Sequence, residues 1–178
     1  VIIGISGYAG SGKDTIAEYL CAKHGYKRIA FADAIRDFVY AINPIVKPGL
    51  KLQDCVDEMG WDKAKTRVAE VRRLLQEVGV SARLQFGDDF WVKIALRDVA
   101  YTSNVVITDV RFPNEAQTIK DRDYSQLWRI ERPGVGPVNT HISETALDSW
   151  DSWDCKFIND GSLESLAIAV KTRMMQFV

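Results

Sequence analysis

Apolar residues along this chain follow two alternating rhythms. Short, nearly continuous apolar runs suit strands buried on both faces. Stretches with apolar positions three and four apart suit helices packed on one side. The runs predict strands at Val1–Ser6, Tyr26–Phe31, Asn104–Thr108, Gln126–Glu131 and Cys155–Ile158. Helical spacing predicts Lys13–His24, ended by Gly25, and a helix capped by Asp33 that runs to about Ala41. It predicts a helix over 64–78, with Val68, Val71, Leu74, Leu75 and Val78 on one face and Gly79 as its stop. Asp88 is placed to cap a helix over 89–100, and Pro113 to open one that ends near Arg122. The last helix follows Asn159-Asp160-Gly161-Ser162 and carries Leu163, Leu166, Ala167, Val170 and Met174 on one face. Strands alternating with helices predict an α/β fold on a parallel sheet. Two stretches break the rhythm, 43–62 and 132–150. Both mix Pro and Gly with polar residues; they are candidates for substrate-covering segments or else ordinary surface connections.

The first strand runs into Gly7-Tyr8-Ala9-Gly10-Ser11-Gly12-Lys13, and a helix follows. This fits the first seven positions of the phosphate-cradling loop G-x-x-x-x-G-K-[ST]. Such a loop works because successive backbone N–H groups converge on phosphate oxygens at a helix N-terminus. The lysine adds a mobile charge for the outer phosphates. The eighth position, normally a hydroxyl that holds Mg²⁺, is Asp14; Thr15 follows. Sliding by one residue lets Thr15 be the Mg²⁺ ligand, or else the hydroxyl is absent and Mg²⁺ keeps another water; Asp14 is expected to turn off the phosphate or to bond to Mg²⁺ through water. The third glycine of a dinucleotide fingerprint is missing, because Thr15 stands in its place.

In doubly wound sheets the working residues gather at strand C-termini. The second strand leads into Asp33 and Arg36, which could orient and hold a phosphorylated acceptor. The third leads into Asp109, placed to reach Mg²⁺ or its water, and Arg111. Arg72 and Gln76 share a helix face and could read an acceptor's phosphate and base. Phe90 and Trp91 could stack on a base or fill the core. His141 and Glu144 flank a short helix start.

Composition narrows the picture further. At 178 residues, one domain with a sizeable core is expected. A net charge of −1 argues against a protein whose main partner is a nucleic-acid backbone. Cys21, Cys55 and Cys155 are too widely spaced for a zinc site and are expected as free thiols. The apolar runs are far shorter than a membrane span, and the first lacks the basic leader of a signal peptide.

The set GxxGSGKDT, FADxxR, RRLLQxxG, TDVRFPNEA, RxERPG, HxSE and strand–NDGS–helix resembles the bacteriophage deoxynucleoside monophosphate kinases. The motifs stand in that family's order and span nearly the whole chain. The resemblance implies a single P-loop kinase domain over 1–178, with a five-stranded parallel sheet in order 2-3-1-4-5 and helices on both faces. Within it, 43–103 would be the acceptor-binding helical region and 132–150 a lid. It implies ATP as donor, with Mg²⁺, and a deoxynucleoside 5′-monophosphate as acceptor. Gly7, Ala9, Gly10, Ser11, Gly12, Lys13, Asp14 and Thr15 would hold the ATP phosphates, with Lys13 on the transferring one. Arg132 would sit on the ATP side and the Asn159–Gly161 loop near adenine. Lids of such kinases usually bring arginines onto the phosphates, and this one has only Arg132, at its hinge; Arg111 or Arg129 would supply the missing charge, or the lid closes differently. Asp33, Arg36, Arg72 and Gln76 would line the acceptor pocket, joined by Trp91 and Asp109. Thr15 and Asp109 would serve the metal; Lys13, Asp33 and Arg111 would serve the chemistry. A cytoplasmic enzyme is implied, in the host cytoplasm if the chain is of phage origin, and a homodimer stays open. Two other readings stay open as well. One is a P-loop kinase for another phosphorylated acceptor, such as dephospho-coenzyme A or phosphomevalonate. The other is a non-catalytic ATP-sensing module.

Overall fold

A computed structural model describes residues 1–100, 103–138 and 140–177. Tyr101 and Thr102 of the predicted 43–103 region, and Asn139 of the predicted lid, lie outside the described residues. The elements begin β1 (Ile2–Ser6), α1 (Lys13–His24), β2 (Lys27–Ile29), α2 (Phe31–Ile42), β3 (Ile45–Lys47), β4 (Leu50–Lys51), α3 (Leu52–Arg67) and α4 (Ala69–Phe86). They continue α5 (Phe90–Leu96), β5 (Val105–Ile107), α6 (Pro113–Lys120), β6 (Ser125–Glu131), α7 (Ile142–Thr145), β7 (Cys155–Ile158) and α8 (Leu163–Phe177). The chain divides into two compact units, Val1–Ala30 with Asp98–Val178, and Phe31–Arg97.

The first unit holds a parallel sheet in the order β2-β5-β1-β6-β7. Counting only these core strands along the chain, the order is 2-3-1-4-5, as predicted. β1 lies in the middle, and every residue of β1 and β5 is buried, as their apolar runs require. One face of β1 sends Ile3 and Ile5 into a core with Ile16 and Leu20 of α1 and Leu166 and Val170 of α8. Trp128 of β6 joins that core, its ring edge-on to Phe157 at 5.2 Å. The other face of β1 carries Gly4. A side-chain carbon there would meet Ile119 of α6 at 2.6 Å, so the missing side chain is what lets α6 pack this close. Helices therefore cover both faces of the sheet.

The second unit is mainly helical, with Val39, Leu52, Cys55, Val56, Ala64, Val68 and Val71 in its core. Several boundaries differ from the predicted ones here. The second strand ends at Ile29, and Phe31 opens α2, so Asp33 lies in the first turn rather than at the cap. The irregular stretch predicted at 43–62 forms the β3–β4 hairpin and then enters α3. α3 breaks at Gly60 (φ 77°, ψ 160°). The predicted 64–78 helix is interrupted at Val68 (φ −122°, ψ 98°), and α4 then runs through Gly79 to a stop at Gly87. Gly79 is buried, and a side chain on it would press on Ile35 of α2 at 3.3 Å. Its glycine lets two helices approach and does not end one. α5 is shorter than the predicted 89–100, and the residue that precedes it is Asp89, without a side-chain cap. α6 opens at Pro113 as predicted and ends at Lys120.

Candidate active site

The glycine loop lies in the first unit, between the C-terminal end of β1 and the N-terminus of α1. Its backbone is held from below. Asn159, buried after β7, donates from its amide to the Ser11 carbonyl at 2.9 Å. The Asn159 backbone N–H donates to the Glu131 carbonyl at 2.7 Å, which ties loop, β6 and β7 together. Asn159 thus clamps the loop from its inner side. The Ser11 hydroxyl is buried with no hydrogen-bond partner, so the loop keeps an uncommitted donor.

Lys13 folds back over the loop. Its ammonium donates to the carbonyls of Gly7 at 2.7 Å and Tyr8 at 2.8 Å. Burial pushes this ammonium below the usual lysine range, and the Arg111 guanidinium pushes the same way, with a smaller push from Arg129. Three cations therefore gather at one loop. Two of them are met by carboxylates, Arg111 by Glu144 at 2.6 Å and Arg129 by Asp148 at 3.1 Å, and three cations beside a glycine loop fit a polyphosphate ligand. Asp14 is exposed, while Thr15 and Asp109 are half-buried. Among the described residues no three His, Cys, Asp or Glu side chains converge to hold a metal ion. Thr15 and Asp109 could hold Mg²⁺ only together with phosphate oxygens and water, the usual manner for this ion.

Glu115 positions Arg111. Its buried carboxylate accepts the backbone N–H groups of Arg111 at 2.7 Å and Phe112 at 3.0 Å, fixing the turn between β5 and α6. The Arg111 guanidinium then donates to Glu144 of α7 at 2.6 Å. Arg132 reaches the Gly10 carbonyl at 3.4 Å. His141 caps α7, its ring nitrogen accepting from the Ser143 N–H at 3.2 Å. That is a local structural role.

Arg129 is one of the two arginines offered by the sequence for the charge that lid arginines usually bring. It stands opposite Ser6 in the β1–β6 register, is 8% exposed, and pairs with Asp148 at 3.1 Å. Its guanidinium lies over the Tyr8 ring at 5.0 Å and over Trp153 at 5.7 Å. Tyr8 in turn donates its hydroxyl proton to Asp148 at 2.7 Å. A signal was present in the sequence: an arginine inside the buried run Gln126–Ile130 is costly unless something needs its charge.

The predicted acceptor residues lie in the second unit. Asp33 and Arg36 form an i,i+3 pair at 3.2 Å on α2. Arg72 and Gln76 are exposed on α4, whose packing against α2 includes Ile35, Val39 and Val71. Trp91 is a core residue. It is 3% exposed, its indole N–H donates to the Gly79 carbonyl at 2.9 Å, and Phe90 meets its ring edge-on at 4.9 Å. Phe38 approaches it edge-on as well, at 6.5 Å. Among the described residues no helix is long and apolar enough to cross a membrane.

The family model of deoxynucleotide monophosphate kinases matches residues 51–170. A protein of Acanthamoeba polyphaga mimivirus, provisionally named a deoxynucleotide monophosphate kinase, is 30% identical over 92% of this chain and 91% of its own. The deoxynucleotide monophosphate kinase of Enterobacteria phage T4 is 30% identical over 58% of this chain and 45% of its own. Among solved structures, shikimate kinase from Aquifex aeolicus vf5 superposes with a TM-score of 0.51 at 16% identity, covering 99% of this chain and 97% of that one. That likeness shows the fold, a P-loop kinase fold, and not the substrate. The glycine loop and its three cations stand in that fold, and by sequence the chain belongs to the deoxynucleotide monophosphate kinase family.

Proposed function

We propose that this kinase moves the γ-phosphate of ATP to a deoxynucleoside 5′-monophosphate, giving ADP and the deoxynucleoside diphosphate. The gathering of Lys13, Arg111 and Arg129 around one glycine loop carries the donor half of this reading. The family relationship carries the acceptor half.

In this reading Gly7 to Thr15 cradle the ATP phosphates, and Lys13 leaves its two loop carbonyls to follow the transferring one. Thr15 and Asp109 would supply the protein's oxygens to a Mg²⁺ ion carried by ATP, which would neutralise charge on the phosphates. Asp33, Arg36, Arg72 and Gln76 take the acceptor. Its phosphate oxygen forms a bond to the γ-phosphorus as the bond to the β–γ bridging oxygen breaks, and ADP leaves with the electron pair. An acceptor phosphate is already largely ionised near neutral pH, so Asp33 orients through Arg36 rather than acting as a strong base. The protein's work is alignment and neutralisation of charge. Trp91 supports this site from the core, holding α5 against α4 through Gly79.

A coupled ADP-release assay with Mg·ATP tests the reading. The acceptors are dAMP, dCMP, dGMP, dTMP, 5-hydroxymethyl-dCMP, dephospho-coenzyme A and a blank. Turnover that depends on a deoxynucleotide supports it. ADP release with dephospho-coenzyme A alone would replace the acceptor class. ATP binding without any acceptor-dependent turnover would overturn catalysis.

A further inference from the structure

Two carboxylates of one segment hold the two arginines beside the loop. Glu144 takes Arg111 at 2.6 Å, and Asp148 takes Arg129 at 3.1 Å and the Tyr8 hydroxyl at 2.7 Å. They stand four residues apart, on and just after α7, and face one cation in the turn after β5 and one near the end of β6. Arg129 is the more telling of the pair. Its guanidinium is buried at the end of β6, directly across from Ser6, the residue before the loop. Burying a guanidinium is costly unless an anion is close. Its partner Asp148 is 37% exposed, and Glu131 lies farther away at 3.9 Å. Arg111, Arg129, Gly7 and Glu144 line one cavity of about 10 Å³, at the limit for a single water. A cavity of this size has no room for a phosphate group, and Glu144 forms part of its wall while Asp148 holds Arg129 from outside it.

We propose that Glu144 and Asp148 are stand-in anions, which neutralise Arg111 and Arg129 while the loop is empty and are displaced from them by the phosphates of the bound nucleotide. Arg129 is then a second arginine for the donor phosphates. Donor binding is coupled to release of the 142–148 segment from the loop, with Tyr8 freed at the same moment. This rests on the proposed ATP site and adds a competition that such a site does not itself require. The competition has a sign that ordinary structural damage does not reproduce. Removing a competing charge should tighten nucleotide binding, whereas loosening the fold should weaken it.

The test is calorimetric titration of the full chain with ATP and with inorganic tripolyphosphate, adenosine being the control. The variants are Glu144→Gln and Asp148→Asn, which keep shape and hydrogen bonding but lose the charge. Each is expected to bind ATP and tripolyphosphate tighter by about fivefold, the upper range for a partly exposed pair, with adenosine unaffected. In the double variant Arg129→Gln/Asp148→Asn the gain from Asp148→Asn should vanish. Thermal melts identify a variant that fails to fold, and the carboxylates are far enough apart in contacts for one to serve if the other does not. Wild-type binding with unchanged or weaker affinity in the variants overturns the stand-in role and leaves the ATP site intact. No binding of ATP or tripolyphosphate by the wild type overturns both.

Discussion

Gly7 is the position where this loop has the least room. Its φ is +145°, and a side-chain carbon there would lie 2.3 Å from the Ile130 carbonyl oxygen and 2.8 Å from the Ser11 hydroxyl. The first contact is backbone of a buried strand, which cannot swing aside. Gly10 in the same loop has φ +78° and nothing within 4 Å of the same atom. The two glycines thus separate backbone strain from collision. Gly10→Ala carries strain alone, about 1–2 kcal/mol. Gly7→Ala adds the collision, about 1–3 kcal/mol for forced repacking, so its total is about 2–5 kcal/mol. Against a typical stability of about 5–15 kcal/mol that is a large fraction. At this chain length it corresponds to a fall in Tm of about 4–20 °C, with about 2–8 °C for Gly10→Ala. Urea unfolding of both variants measures the difference directly. Equal costs, or a larger one for Gly10→Ala, would show that the Ile130 carbonyl does not bound the loop and would remove the packing argument.

The Lys13 ammonium should be dispensable for folding and not for turnover. Lys13→Met is expected to keep the fold and to lose at least about 10²–10³-fold in kcat, read by ADP release with circular dichroism as the control. Near-wild-type turnover would take the loop out of the mechanism. The same residue has a pH signature. Its folded value is depressed below 10.5, so between the two values the unfolded chain holds a proton that the folded chain has lost. Stability of the wild type relative to Lys13→Met should therefore rise with pH as 10.5 is approached, and a fall across that window in urea titrations would contradict the assigned burial. Asn159→Ala leaves the Ser11 carbonyl without its buried donor and should cost about 1–3 kcal/mol of stability. A loss of ATP affinity with no loss of stability would instead make Asn159 a nucleotide contact. Trp91→Phe deletes the indole N–H that the Gly79 carbonyl accepts and should cost about 1–3 kcal/mol. A change confined to KM for the acceptor would return Trp91 to the pocket.

What was legible in the chain is what local chemistry decides. β1 and β5 are apolar without interruption because both of their faces are covered, so a short run revealed them. α1 was legible at both ends, from the glycine loop and from Gly25, which takes a left-handed conformation (φ 68°) after the helix. Gly79 misled because a glycine in sequence looks the same whether it ends a helix or lets another helix approach. Only Ile35, 44 positions away, distinguishes the two. The tail of the second strand misled for a similar reason. Phe31 is apolar and buried in either state, and its burial is set by helix α2.

The same division runs through the site. Lys13 and its glycines act through backbone geometry within nine residues, and that is a pattern a sequence can carry. The partners of the arginines are farther off: Arg129 and Asp148 are 19 positions apart and Arg111 and Glu144 are 33, while Tyr8 meets the same Asp148 across 140. No spacing rule joins such pairs. A physical rule comes closer, because a buried strand tolerates a guanidinium only where an anion meets it. Arg129 lies in such a strand, next to the glycine loop, and the anions that meet it and Arg111 come from the acidic residues of 142–148. Lids of nucleotide kinases usually bring arginines; this segment brings Glu144 and Asp148 to an arginine in the turn after β5 and an arginine in β6. One cation stands in β6 and one in the turn after β5, and the anions of the cover bring the site close to neutrality, with Asp148 the more exposed partner of its pair and Glu144 the less exposed of its own.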